Sequence, residues 1–228
     1  MSLNRQIVLT SLLLLAAILF FGLNDIDLTI QDMFYNFGDK TWLLGQESQP
    51  YKFIFYDGIK KLLIAFAVVL VAVFLSSYKI KSLRGYRQGL LIVILSAAVI
   101  PVSVGALKKE TNMPCPKGEL RYGGFYPRTA VWDSYDENFY LKDYRNKCWP
   151  AGHASGGFAL LSLFFLFKKR RHKILSLVLA LVVGWTMGIY KMIIGDHFFS
   201  HTVITMILAW LLILLIAKFI YWFRPLKL

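Results

Sequence analysis

Six apolar runs, at 7–23, 62–78, 89–107, 156–167, 174–194 and 202–223, constrain this chain more than anything else in it. A helix needs about 20 apolar residues to cross a hydrocarbon core about 30 Å thick. Inside that core no water can satisfy the backbone, so the chain must satisfy its own polar groups there. Hydrophobic residues make up 57% of the sequence, charged residues 17%, and the mean hydropathy is +0.55, well outside the balance of a soluble domain. The predicted fold is an all-α, polytopic membrane helix bundle of about six transmembrane helices with an outer loop cap. The fourth run is the shortest and ends at Lys168-Lys169-Arg170-Arg171. Extended back through Ala154 and His153 it gains the length of a span and sets His153 at a helix start. Unpaired N–H groups and the helix dipole favour an anion there.

Charge bias orients the spans. Lys79, Lys81, Arg84 and Arg87 fill the short loop after the second run, and Lys168, Lys169, Arg170, Arg171 and Lys173 fill the one after the fourth. Both loops read as cytoplasmic. Arg5 at the start and Lys218, Arg224 and Lys227 at the end put both termini on the same side. The histidine-bearing segments are then outside. The outer loop, 108–155, carries many Lys and Arg, partly offset by Glu110, Glu119, Asp133, Asp136, Glu137 and Asp143. A long translocated loop escapes the charge rule. The net charge of +13 is therefore mostly topological. It predicts anionic membrane lipids as partners and excludes nucleic acid, because the basic runs flank spans instead of forming one folded face.

Arg5 and the run after it resemble a signal peptide, but no small-residue cleavage site follows, so this segment is read as a retained first span. Phe34, Tyr35, Trp42, Tyr51, Phe53, Phe55 and Tyr56 give the stretch up to Lys61 an interfacial composition, expected on the outer surface. No repeat or linker divides the chain, and residues 1–228 are read as one membrane domain. Its two cysteines, Cys115 and Cys148, share the outer loop. In an oxidising exterior they can pair, closing a loop worth roughly 3 to 4 kcal/mol, or remain two thiols. The absence of a CxxC pair argues against a zinc site.

Three of the four histidines fall in two short segments on the same predicted side, Pro150-Ala151-Gly152-His153 and Gly195-Asp196-His197-Phe198-Phe199-Ser200-His201. Lys108 precedes Cys115-Pro116, and Lys191 precedes His197. Cations and N–H donors that hold phosphate oxygens, an in-line nucleophile and a proton for the leaving oxygen are what phosphoryl transfer needs. Lys108 and Lys191 supply charge, and the Gly152 N–H can approach closely. A neutral His197 can attack phosphorus, with water activated by His153 completing hydrolysis. No metal and no cofactor is called for.

The order and spacing of these segments over residues 108–201 resemble the three motifs of the type 2 phosphatidic acid phosphatase superfamily, the lipid phosphate phosphatases. The resemblance implies His197 as nucleophile and His153 as the group that protonates the leaving oxygen. Four positions depart from the pattern: Cys115 and Lys191 stand where the family has Arg, Ala151 where Ser is common, and His201 where an Asp orients the nucleophile. Lys191 keeps charge without the guanidinium fork, His201 can still hydrogen-bond His197, and Arg121 or Lys109 is a candidate for the missing arginine.

The chain is thus read as a phosphatase acting on a lipid phosphomonoester or pyrophosphate at the outer face. By resemblance, the substrate is a lipid A phosphate, undecaprenyl pyrophosphate, phosphatidylglycerol phosphate or phosphatidic acid. Compact size and short inner loops point to a bacterial inner membrane, with the active site facing the periplasm. The alternatives are a lipid phosphotransferase of the same superfamily, a metal enzyme built on the i, i+4 pair His197 and His201 with Asp196 and His153, and a non-catalytic lipid-binding protein.

Overall fold

The computed structural model describes residues 1–45, 48–141 and 146–223; Asp143, Arg224 and Lys227 lie outside them. Seven α-helices carry the described chain: α1 (Leu3–Leu23), α2 (Ile26–Asp32), α3 (Gly58–Ser76), α4 (Arg87–Glu110), α5 (Gly152–Ala159), α6 (Arg170–Ile193) and α7 (Phe199–Phe223). A π-helical turn, Phe53–Asp57, leads into α3, and a 3₁₀ segment, Leu160–Phe165, continues α5. Strands β1 (Tyr35–Asn36) and β2 (Thr41–Trp42) form a minimal antiparallel hairpin between α2 and α3.

The fold is the expected all-α membrane bundle, with two refinements in its spans. Five helical segments are long and apolar enough to cross a membrane; the sixth, Gly152–Phe165, is shorter. A 3₁₀ helix rises about 2.0 Å per residue against 1.5 Å for an α-helix, so this segment still reaches about 24 Å. The second span also starts earlier than the apolar run suggests, at Phe53. Lys60 and Lys61 are therefore helical, because hydropathy marks the apolar centre of a span and not its ends.

Small residues let the inner helices approach. A β-carbon on Gly157 would lie 2.7 Å from the Gly184 Cα, so α5 and α6 cross backbone to backbone, as membrane helices do where hydrophobic collapse is not the driving force. Ile92, Ile100, Ala154, Phe158, Ala180, Ala209 and Ile213 fill the core among α4, α5, α6 and α7. Leu12, Leu13 and Leu15 of α1 and Leu62, Ile64 and Val68 of α3 point outward, as lipid-facing helices require. The two basic loops meet at one end of the bundle, where Lys168 sits over the Tyr86 ring.

The opposite end carries the cap. Tyr35 and Trp42 of the hairpin pack with Tyr122, and this group joins Met113, Trp149 and Phe198 in a second core. Cys115 and Cys148 form a disulfide that closes the loop between α4 and α5. Apart from two short 3₁₀ turns, Pro116–Gly118 and Leu120–Tyr122, the described residues of that loop have little regular structure.

Candidate active site

Three helix ends converge beneath the cap. Lys108 lies in the last turn of α4, His153 in the first turn of α5, and Lys191 in the last turn of α6. His197 follows α6 in a turn, and His201 lies in the first turn of α7.

The α6 turn has a local cause. Gly195 adopts φ +73, the left-handed conformation that ends many helices. The Gly195 N–H donates to the Met192 carbonyl and the Asp196 N–H to the Lys191 carbonyl, which together form a Schellman cap. A β-carbon on Gly195 would also strike the Trp42 indole. This turn throws His197 back over the end of α6. At α5 the cap is tertiary: the Ala151 N–H donates to Thr205 Oγ1 of α7, 2.8 Å away. Ala151 has no side-chain oxygen of its own for the first-turn N–H groups of α5, which leaves them suited to an anion.

The histidines form a file. His153 Nδ1 is 3.3 Å from His197 Nε2, and His197 Nδ1 is 3.4 Å from His201 Nδ1. His197 is 2% exposed and His201 0%. Burial, and then the nearby His201, Lys108, His153 and Lys191, push the His197 pKa well below the usual histidine value, so the ring is neutral. With the Nδ1 proton donated to His201, His197 keeps a lone pair on Nε2, the atom facing His153.

Lysines surround this file and share one carboxylate. Asp196 pairs with Lys191 at 2.8 Å and Lys117 at 2.7 Å. Burial raises its pKa, but the two ammonium groups outweigh that and hold the carboxyl below its ordinary value. Lys191 Nζ lies 4.6 Å from the Tyr56 ring centroid, and the same ring meets His153 edge-on. Lys108 lies against Gly152, whose added β-carbon would be 3.5 Å from its Nζ.

Of the residues singled out in the sequence, His153, His197, His201, Lys108, Lys191 and Gly152 come together. Arg121 does not join them: its guanidinium is bound to Asp32 and lies over the Phe37 ring. Lys109 is exposed. Lys117 is a further cation there, Lys60 lines the cavity with His153, and Asp196, Tyr56 and Asp27 also border the site. Gly195 was a readable signal for the turn, whereas Tyr56 was hidden among interfacial aromatics. The Asp27 carboxylate accepts the Ser200 N–H, 2.8 Å away, and its hydroxyl, and so caps the first turn of α7 from α2.

Cys148 Sγ lies 3.6 Å from His197 Nδ1, and the ligand atoms of Cys148, His197 and His201 all fall within 4.8 Å of one another. In the disulfide Cys148 has no thiolate, so in this form only two nitrogens of that group are metal ligands. The carboxylate of Asp196, one of the two further ligands considered for a metal enzyme, is held by its two lysines.

An apolar cavity of about 480 Å³ opens beside His153 and runs down between α3, α4 and α5, past Leu63, Ala67, Leu70, Val93 and Ala159.

The family model of the PAP2 superfamily matches residues 89–225, well over half of the chain. The protein belongs to that superfamily, an integral membrane member of a group of phosphatases that cleave phosphate esters. No curated protein and no solved structure matches the chain.

Proposed function

We propose that the protein is a lipid phosphate phosphatase working through a phosphohistidine, with its site on the outer, periplasmic face of a bacterial inner membrane. The observation that carries this reading is the facing of His153 Nδ1 and His197 Nε2 across 3.3 Å, flanked by lysines and opening onto an apolar cavity. A phosphate ester enters beside the two nitrogens and parts them, so that phosphorus meets His197 Nε2 and the leaving oxygen meets His153 Nδ1. Lys108, Lys191 and the N–H groups opening α5 hold its oxygens. His197 Nε2 attacks phosphorus as the bond to the leaving oxygen breaks, and His153, protonated in the substrate complex, gives its proton to that oxygen. Neutral His153 then takes a proton from water, which attacks the phosphohistidine and releases phosphate. The cavity between α3, α4 and α5 accepts the lipid tail at bilayer depth, which supports a lipid over a water-soluble ester. The acceptor separates this reading from a phosphotransferase of the same superfamily: water in one, a second lipid in the other.

The test is phosphate release by the detergent-purified protein from a panel of lipid phosphomonoesters and pyrophosphates, alongside His197→Ala and His153→Ala. His197→Ala should lower kcat by roughly a thousandfold or more and leave the helical circular dichroism unchanged. A folded, fully active His197→Ala variant would refute the nucleophile. Transfer to an added lipid without phosphate release would favour the transferase.

A further inference from the structure

The disulfide touches the nucleophile, and reduction would change what the nucleophile can bind. Tetrahedral zinc with Zn–S of about 2.3 Å and Zn–N of about 2.0 to 2.1 Å sets its ligands about 3.6 Å apart for S···N and about 3.3 Å for N···N. Cys148 Sγ and His197 Nδ1 are 3.6 Å apart, and His197 Nδ1 and His201 Nδ1 are 3.4 Å apart. All three residues are buried, and one ligand atom from each lies within 4.8 Å of the others. We propose that the reduced protein holds a zinc-class divalent cation on Cys148, His197 and His201, that this ion silences the enzyme, and that pairing with Cys115 is what keeps the site closed.

The chemistry is balanced as follows. A dithiol reductant exchanges with the Cys115–Cys148 bond, yielding two cysteine thiols and the oxidised, cyclic disulfide of the reductant. Zinc then displaces the thiol proton of Cys148, and the thiolate offsets part of the ion's charge beside Lys108. Water completes the tetrahedron. Metal on His197 Nδ1 obliges a neutral ring to carry its proton on Nε2. The lone pair that would attack phosphorus is then gone, although Nε2 itself stays uncovered. This silencing rests on the nucleophile assignment above; the binding of metal does not.

Cobalt(II) reports the site without turnover. The oxidised full-length protein in detergent should show no thiolate-to-cobalt charge-transfer band. Wild type reduced with a water-soluble phosphine in the presence of cobalt should develop that band with tetrahedral d–d absorption, and Cys115→Ser should show both without reductant. Cys148→Ser should lack the charge-transfer band, and reduced His201→Phe the tetrahedral d–d pattern. Zinc should lower Cys115→Ser turnover by about tenfold or more, reversed by a chelator. Absence of the charge-transfer band from both reduced wild type and Cys115→Ser would overturn the site. So would loss of the native fold on reduction with cobalt present, because metal on the native trio would hold that state. Cobalt spectra as expected with undiminished turnover would overturn the silencing and the nucleophile assignment, and leave the metal site standing.

Discussion

At His197 the decisive property is the position of one proton. A buried neutral imidazole is a nucleophile at Nε2 only when Nδ1 carries the hydrogen, and the nearest acceptor is His201 Nδ1. For His201 Nδ1 to accept that proton, His201 must hold its own on Nε2, a buried atom with no hydrogen-bond partner among the described residues. A carboxylate there would accept the same proton and leave no such orphan. His201→Asp should therefore retain activity, whereas His201→Ala, which leaves the tautomer unset, should lose about tenfold to a hundredfold in kcat with little change in KM. Steady-state kinetics on the two variants check this, and equal losses would show that His201 serves packing alone. The two histidine motifs were legible in the sequence because each is a short local pattern. The commitments of the basic residues were not. Arg121 and Lys117 stand in the same cap segment, and only the fold gives Asp32 to the first and Asp196 to the second.

Among the elements, α2 contributes more than its length suggests. It is too short to span and its sequence carries no catalytic motif, yet Asp27 caps α7 and the Gln31 side-chain amide donates to the Met192 carbonyl at 2.8 Å. Both contacts brace the segment between Lys191 and His201. Removing the α7 cap with Asp27→Ala should lower stability by about 1 to 2 kcal/mol and reduce kcat through the displaced His201. Thermal unfolding with parallel kinetics tests both, and an unchanged unfolding temperature would show that α7 needs no cap from α2. The span boundaries show the limit of reading elements from hydropathy. Lys108 sits in the predicted outer loop by composition but in the last turn of α4 by structure, because a helix continues past its apolar core wherever its backbone can be capped or hydrated.

For the whole molecule, Glu119 of the cap ties stability to pH. It is 1% exposed, with Oε1 unpartnered among the described residues. Burial, opposed by Arg128 and reinforced by Asp27, raises its pKa from 4.5 to about 7. The folded state thus binds a proton that the unfolded state releases first, so its contribution is fully present below pH about 4.5 and is lost as pH rises through about 7. Between those limits the protein should lose on the order of 3 kcal/mol, read as a lower unfolding temperature at pH about 8 than at pH about 5. Glu119→Gln should flatten the dependence, and a wild type with the same profile as the variant would rule this out.

The sequence by itself determined the membrane class, the order of the spans, the shared side of the two basic loops and the two histidine motifs that meet at the candidate site. Each rests on run length or local spacing, which tertiary contacts do not alter. The tertiary structure decided which cation meets which carboxylate, where α7 gets its cap and which atoms lie beside the disulfide. Those partners stand far apart in the chain, Asp27 and Ser200 by 173 positions. Groups of like chemistry compete for each of them, and helix packing selects among them by distance alone.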